Sequence, residues 1–194
     1  MKNIINQLHN HPCPCCHPLA SRRYFLKSLL PGAVAFSVLQ SAAPARAVTY
    51  QAKALILSCI DFRFLTAERY FLRNKHLLGE YDWTALAGAS LAITGFPHPA
   101  DAEAFWDQLD LSYRLHHINK VIIIDHQDCG AYAIMIDSNL SKDPERELQV
   151  HTDYLNRAYW LIRNRYPHID IELYLATLNQ DEFKTILPKL ENQT

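Results

Sequence analysis

Residues 120–130 read Lys-Val-Ile-Ile-Ile-Asp-His-Gln-Asp-Cys-Gly, and within them Val121-Ile122-Ile123-Ile124 is the clearest strand signal in the chain. Four consecutive β-branched residues suit a pleated strand. Without polar alternation that strand is buried on both faces, as at the centre of a parallel sheet covered by helices. Working outward, Ala54-Leu55-Ile56-Leu57-Ser58 is a second short apolar run and residues 83–86 a third, ending at Ala87-Gly88. Ile169, Ile171, Leu173 and Leu175 alternate through a fourth. Helical spacing appears over residues 64–77, with Leu65, Tyr70 and Leu72. It appears again over 101–118, where Ala104, Leu111, Leu115 and Ile118 share a face and Asn119 is read as the C-terminal cap. A short helix is expected from Gly130 to Ile136. Asp143-Pro144 supplies an N-cap and a first-position proline for a helix running to about Arg165, and residues 181–187 are read as one more short helix. Strands alternating with helices predict an α/β domain: a mainly parallel four-stranded sheet flanked by helices. Right-handed crossovers put the strand C-termini at one edge, where ligands of such sheets bind.

The 194 residues amount to about one domain, and 49% hydrophobic with 11% aromatic residues is enough to bury a core. Nineteen basic residues nearly balance twenty acidic ones, and no basic run lies outside the N-terminus, so there is no electrostatic footprint for nucleic acid. Only five glycines are present, and neither a dinucleotide fingerprint nor a P-loop pattern occurs.

Residues 1–47 do not read as part of the fold. Ser21-Arg22-Arg23-Tyr24-Phe25-Leu26-Lys27 is followed by a moderately apolar run over 28–43, broken by Pro31-Gly32 and too short for a good membrane span. Ala45-Arg46-Ala47 offers small residues for a signal peptidase. The stretch resembles a twin-arginine export signal, with an ordinary secretory signal or an uncleaved anchor as the plainer readings. This implies the twin-arginine translocase as a partner, a periplasmic or otherwise exported location, and a mature domain spanning 48–194. That route carries folded proteins, so metal can be loaded before export. His11, Cys13, Cys15, Cys16 and His17 look like metal ligands, but they lie upstream of the twin arginines and should leave with the signal.

Two cysteines remain, Cys59 and Cys129. In an exported protein a disulfide is the plain expectation. Their surroundings point elsewhere. Cys59-Ile60-Asp61-Phe62-Arg63 follows the first predicted strand and His126-Gln127-Asp128-Cys129-Gly130 follows the Val121 strand, so both clusters share one sheet edge. Two sulfurs and one imidazole suit zinc better than magnesium or manganese. Three protein ligands leave the fourth position to water, as in catalytic sites. Asp61 beside Arg63 is held ionised and oriented, able to accept a hydrogen bond from a water on the metal. Asp128 is read as an N-cap or turn residue before Cys129-Gly130, His116 and His117 as a helix end, and His98 and His151 as surface residues. Phe62, Phe64, Leu86 and Tyr132 are candidates for an apolar wall near the metal. Tyr154, Tyr159 and Trp160 with Leu155 and Ile162 are read as core or dimer surface.

The order C-x-D-x-R, then Ala87-Gly88, then H-x-x-C-G resembles the β-class carbonic anhydrases over roughly residues 54–132. The resemblance implies that Cys59, His126 and Cys129 bind Zn2+ and that Asp61–Arg63 is the orienting pair. It implies reversible hydration of carbon dioxide to bicarbonate by a hydroxide formed on the zinc, with a homodimer or higher oligomer as the working unit. It also allows Asp61 to close the site by taking the fourth zinc position. The polar residues that flank Ala-Gly in the family are absent from Ala85-Leu86-Ala87-Gly88-Ala89-Ser90, and a mature chain starting about ten residues before Cys59 would have the family's N-terminal arm absent or replaced. Two other functions therefore stay open: hydrolysis of a related heterocumulene such as carbonyl sulfide or carbon disulfide, and a non-catalytic zinc-binding protein that kept the fold.

Overall fold

The computed structural model describes residues 51–96, 98–178 and 182–189. The stretch read as an export signal, with Ala45-Arg46-Ala47 and the Cys13, Cys15, Cys16 cluster, lies outside the described residues. In chain order the elements are β1 (Ala54–Ser58), α1 (Leu65–Asn74), β2 (Tyr81–Ala85), α2 (Ser90–Ile93), α3 (Pro99–Leu115), β3 (Lys120–His126), α4 (Gly130–Met135), α5 (Pro144–Arg165), β4 (Asp170–Ala176) and β5 (Phe183–Ile186), with a 3-10 turn at Leu140–Lys142 between α4 and α5. The sheet order is β2-β1-β3-β4-β5, parallel throughout except for β5.

The Val121–Ile124 run lies at the centre of the sheet, and its alternate residues enter two different cores. Val121 and Ile123 pack with Leu55 and Leu57 of β1, Phe105 and Leu109 of α3, and Leu155, Ala158 and Ile162 of α5. Ile122 and Ile124 pack on the other face with Ala54, Ile56, Phe64 and Leu72. This two-sided burial explains why the strand carries no polar alternation. Asp143 caps α5 as expected, its carboxylate accepting the Arg146 N–H at 3.1 Å.

Two expectations are corrected. The sheet has five strands, because the segment read as a last helix contains β5, paired antiparallel with β4 from Leu173↔Ile186 to Ala176↔Phe183. Phe183 and Ile186 fall on opposite sheet faces, each joining a different core. Four residues with that period gain more from completing an edge than from a helical turn, which is marginal in isolation. Asn119 is not a helix cap. Helix α3 stops at Leu115, the His116 N–H bonds back to the Ser112 carbonyl, and His117 turns the chain with φ +55°. Asn119 instead joins the sheet end, its carbonyl accepting the Asp170 N–H at 2.9 Å.

Candidate metal centre

Strands β1 and β3 are neighbours and parallel, so their C-terminal ends deliver Cys59 and His126 to the same edge. The turn after β3 then brings Cys129 back to the same point at the start of α4. One ligand atom from each of the three residues lies within 4.8 Å of the others, and all three side chains are buried. Both cysteines are free, with their sulfurs 3.9 Å apart. A disulfide needs about 2.05 Å. Two sulfurs bound tetrahedrally to one zinc at 2.3 Å each would be about 3.8 Å apart. Between the sulfurs, the Cys129 hydrogen bond brings Cys59 down to about 4 against the opposing effect of burial, while the Gly88 N–H at 3.3 Å adds to the lowering. The same contact, together with burial, pushes Cys129 up. A metal bound here would displace the proton that the two sulfurs share.

His126 fixes its own tautomer. Its Nδ1 lies 2.8 Å from the Gln127 carbonyl, which can only accept, so Nδ1 carries the proton and in the neutral ring Nε2 is the nitrogen that bears the lone pair. That Nε2 is buried without a hydrogen-bond partner. An orphaned buried nitrogen facing two sulfurs has the donor chemistry of a metal site. Phe64 packs on the imidazole at 4.4 Å between ring centroids and stops it from swinging away.

Asp61 stands outside the three-donor group, with Oδ2 3.8 Å from His126 Nε2. Arg63 grips it from three directions: Nε to Oδ1 at 3.0 Å, Nη2 to Oδ2 at 2.7 Å, and the Arg63 backbone N–H to Oδ1 at 3.0 Å. These hydrogen bonds hold the carboxyl below its usual range, outweighing the small effect of burial. The free end of the guanidinium reaches Asp128, with Nη1 to Oδ2 at 2.8 Å and Nη2 to the carbonyl at 2.9 Å.

Gly88 sits beneath Cys59 with φ +78°, and an added Cβ would come within 3.1 Å of Leu91 Cβ and 3.2 Å of Ala131 Cβ. The close approach that lets its N–H reach the sulfur therefore requires glycine. The polar anchoring of this loop comes from Ser90. Its N–H and hydroxyl both donate to Asp125, at 3.0 and 2.7 Å, and the Tyr132 hydroxyl and His151 Nδ1 meet the same carboxylate at 2.9 Å each.

His151, read as a surface residue, is fully buried. Its partner Asp125 explains this: a buried carboxylate needs donors from every side. Glu68 of α1 was also missed. It is 4% exposed and lines a cavity of about 790 Å³ with Leu65, Leu72, Leu78 and Trp83. Burial pushes its carboxyl up to about 7, although the Ser58 hydroxyl pulls it down. Of the expected apolar wall, Phe64 and Tyr132 are buried beside the ligands, whereas Leu86 packs into the α3–α5 core and Phe62 is 80% exposed.

Glu68 carries a prediction. Because its folded value lies above the ordinary 4.5, its contribution to stability is complete below about 4.5 and falls as pH rises to about 7. Glu68→Gln removes that loss. Relative to wild type, the variant should gain up to about 3 kcal/mol between pH 4.5 and 8, measured by urea unfolding at each pH. A constant difference across that range would show that Glu68 does not titrate there.

Comparison with known proteins agrees with this geometry. The chain is 30% identical over 129 residues to an uncharacterized protein of Rickettsia bellii, covering 66% of this chain and 79% of that one. Its fold is similar to a carbonic anhydrase of Streptococcus mutans (TM-score 0.51, 13% identity, 85% of this chain and 92% of that chain). It is also similar to one of the tetrameric β-carbonic anhydrases of Sordaria macrospora (TM-score 0.52, 9% identity, 71% and 81%). At these identities the likeness establishes the fold: an α/β sheet structure like that of the β-carbonic anhydrases. The family model described as "Putative carbonic anhydrase" matches residues 49–182, well over half of the sequence, and the chain belongs to that family.

Proposed function

We propose that this protein binds one zinc ion through Cys59, His126 and Cys129 and catalyses the reversible hydration of carbon dioxide. The observation that carries the reading is the set of three buried donors with an unpartnered His126 Nε2, beside an Asp61 that Arg63 keeps outside the group. When bound at such a site, zinc supplies a water made acidic enough to act as a nucleophile near neutral pH. The chain's own residues do the rest. Cys59 and Cys129 offset the metal's charge, and the Gln127 carbonyl sets the His126 tautomer. Asp61, ionised and fixed by Arg63, would accept a hydrogen bond from the nucleophile and so orient it. Phe64 and Tyr132, packed beside the ligands, restrict the approach of bulk water.

The Arg22-Arg23 segment extends the proposal to twin-arginine export and a periplasmic or otherwise exported place of work. Pairing of two copies is supported by the apolar rim of the site, where Ile60, Phe62 and Trp83 are more than half exposed.

Zinc analysis combined with stopped-flow assays tests the function. One zinc per chain with turnover of carbon dioxide is the expected result. Zinc with turnover of carbonyl sulfide or carbon disulfide and none of carbon dioxide would move the reaction to a heterocumulene hydrolase. Zinc with no turnover of any of them would leave a binding protein.

A further inference from the structure

We propose that Glu147, on α5, is a positioning residue for this centre: through Asp128 and Arg63 it keeps Asp61 beside the metal and off it. The inference rests on the three-donor reading above.

The argument starts at the turn between His126 and Cys129. For both side chains to reach one point, the backbone between them must reverse sharply, and it does so at Asp128, which takes φ +53°. Aspartate tolerates the left-handed region better than most residues, at some cost in strain. The Asp128 N–H donates to Glu147 Oε1 at 2.7 Å. Glu147 is 3% exposed. A buried carboxylate is costly unless its hydrogen bonds are made. It lies in the first turn of α5, after the Asp143 cap and Pro144, where the helix dipole favours a negative charge. The helix end thus presents a fixed acceptor to the strained peptide.

From that peptide outward, Asp128 offers Arg63 two acceptors, its carboxylate and its carbonyl. The guanidinium is therefore forked between Asp128 on one side and Asp61 on the other. A planar fork held at both ends cannot rotate. Asp61 is consequently held where it stands, outside the three-donor group. The series Glu147, Asp128, Arg63, Asp61 is continuous, with every link between 2.7 and 3.1 Å. Cutting it at Glu147 leaves the three donors in place but frees the far end.

The test uses the full chain loaded with cobalt or zinc, and Glu147→Ala and Glu147→Gln are compared with wild type. Glutamine keeps an acceptor oxygen for the Asp128 N–H, so Glu147→Gln should match wild type. Glu147→Ala should keep one metal per chain. Its cobalt absorption spectrum should change, its spectral response to added azide should fall at least tenfold as Asp61 competes for the open position, and kcat should drop about 10- to 100-fold with little change in KM. Asp128→Gly removes the next link without a left-handed penalty, and its side chain is 44% exposed in the wild type. It should give the same spectral change even if Glu147→Ala does not fold. A wild-type spectrum, azide response and kcat in either variant, or loss of the metal from Glu147→Ala in a folded chain, would overturn the proposal. Wild-type protein that binds no metal would instead overturn the functional reading beneath it.

Discussion

Cys59→Ser is expected to fold, to purify with less than about 0.1 zinc per chain, and to hydrate carbon dioxide no faster than buffer. The serine oxygen is a hard donor and sits closer to the backbone than sulfur, so it neither reaches nor suits an ion that the Cys129 thiolate and the His126 imidazole hold. The loss extends to stability. A ligand that binds only the folded state at a thousand times its Kd stabilises it by about 4 kcal/mol. Cys59→Ser should therefore unfold at lower denaturant than zinc-loaded wild type, and wild type stripped by a chelator should fall to about the same midpoint. The local cost of the substitution is small by comparison, because the serine hydroxyl can still accept the Gly88 N–H that now meets the sulfur. Retention of one zinc per chain with wild-type turnover would remove Cys59 from the ligand set.

Asp61→Ala should separate the metal from the chemistry. The three donors do not include Asp61, so zinc content should stay at one per chain. Turnover should fall about 100-fold, the usual scale for deleting a group that orients a metal-bound reactant. The stability cost should be about 1 kcal/mol, because Arg63 keeps Asp128 as a partner and is partly exposed. The sign of the pH effect is also fixed. Arg63 holds the Asp61 carboxyl below its usual range, so it is ionised as an acceptor at neutral pH, and its contribution disappears only as pH falls through that lowered value. Unchanged hydration by Asp61→Ala would assign the Asp61–Arg63 pair to closing the strand end instead.

The parts of the molecule visible in the sequence are those whose signals are local. The Val121–Ile124 run announces a doubly buried strand by composition alone, and the two cysteine clusters each follow a strand directly, so their meeting follows from parallel topology. The parts that were not visible depend on partners distant in the chain. Helix α5 carries many charges, and on that background Glu147 and His151 look like surface residues. They are four positions apart on one buried face because Asp128 and Asp125 await them across the core. Glu68 is hidden for the same reason, in a helix whose other polar residues face solvent. Strand β5 is four residues long, and only its pairing with Leu173–Ala176 decides what it is. The residues beside Gly88 are apolar, so no polar support for that loop is visible there. It is supplied two residues later, by Ser90.

The separation of the donors along the chain has a consequence for how the ion is acquired. During synthesis Cys59 emerges more than sixty residues ahead of His126 and Cys129, with α1, β2, α2 and α3 in between. An ion bound at this site would have only the later pair of donors until β1 has docked beside β3. Firm capture would thus wait until that whole crossover has closed, and the ion would then act as a clasp across it. Damage anywhere along the crossover should show first as leakage of the ion, before any change in helix or strand content.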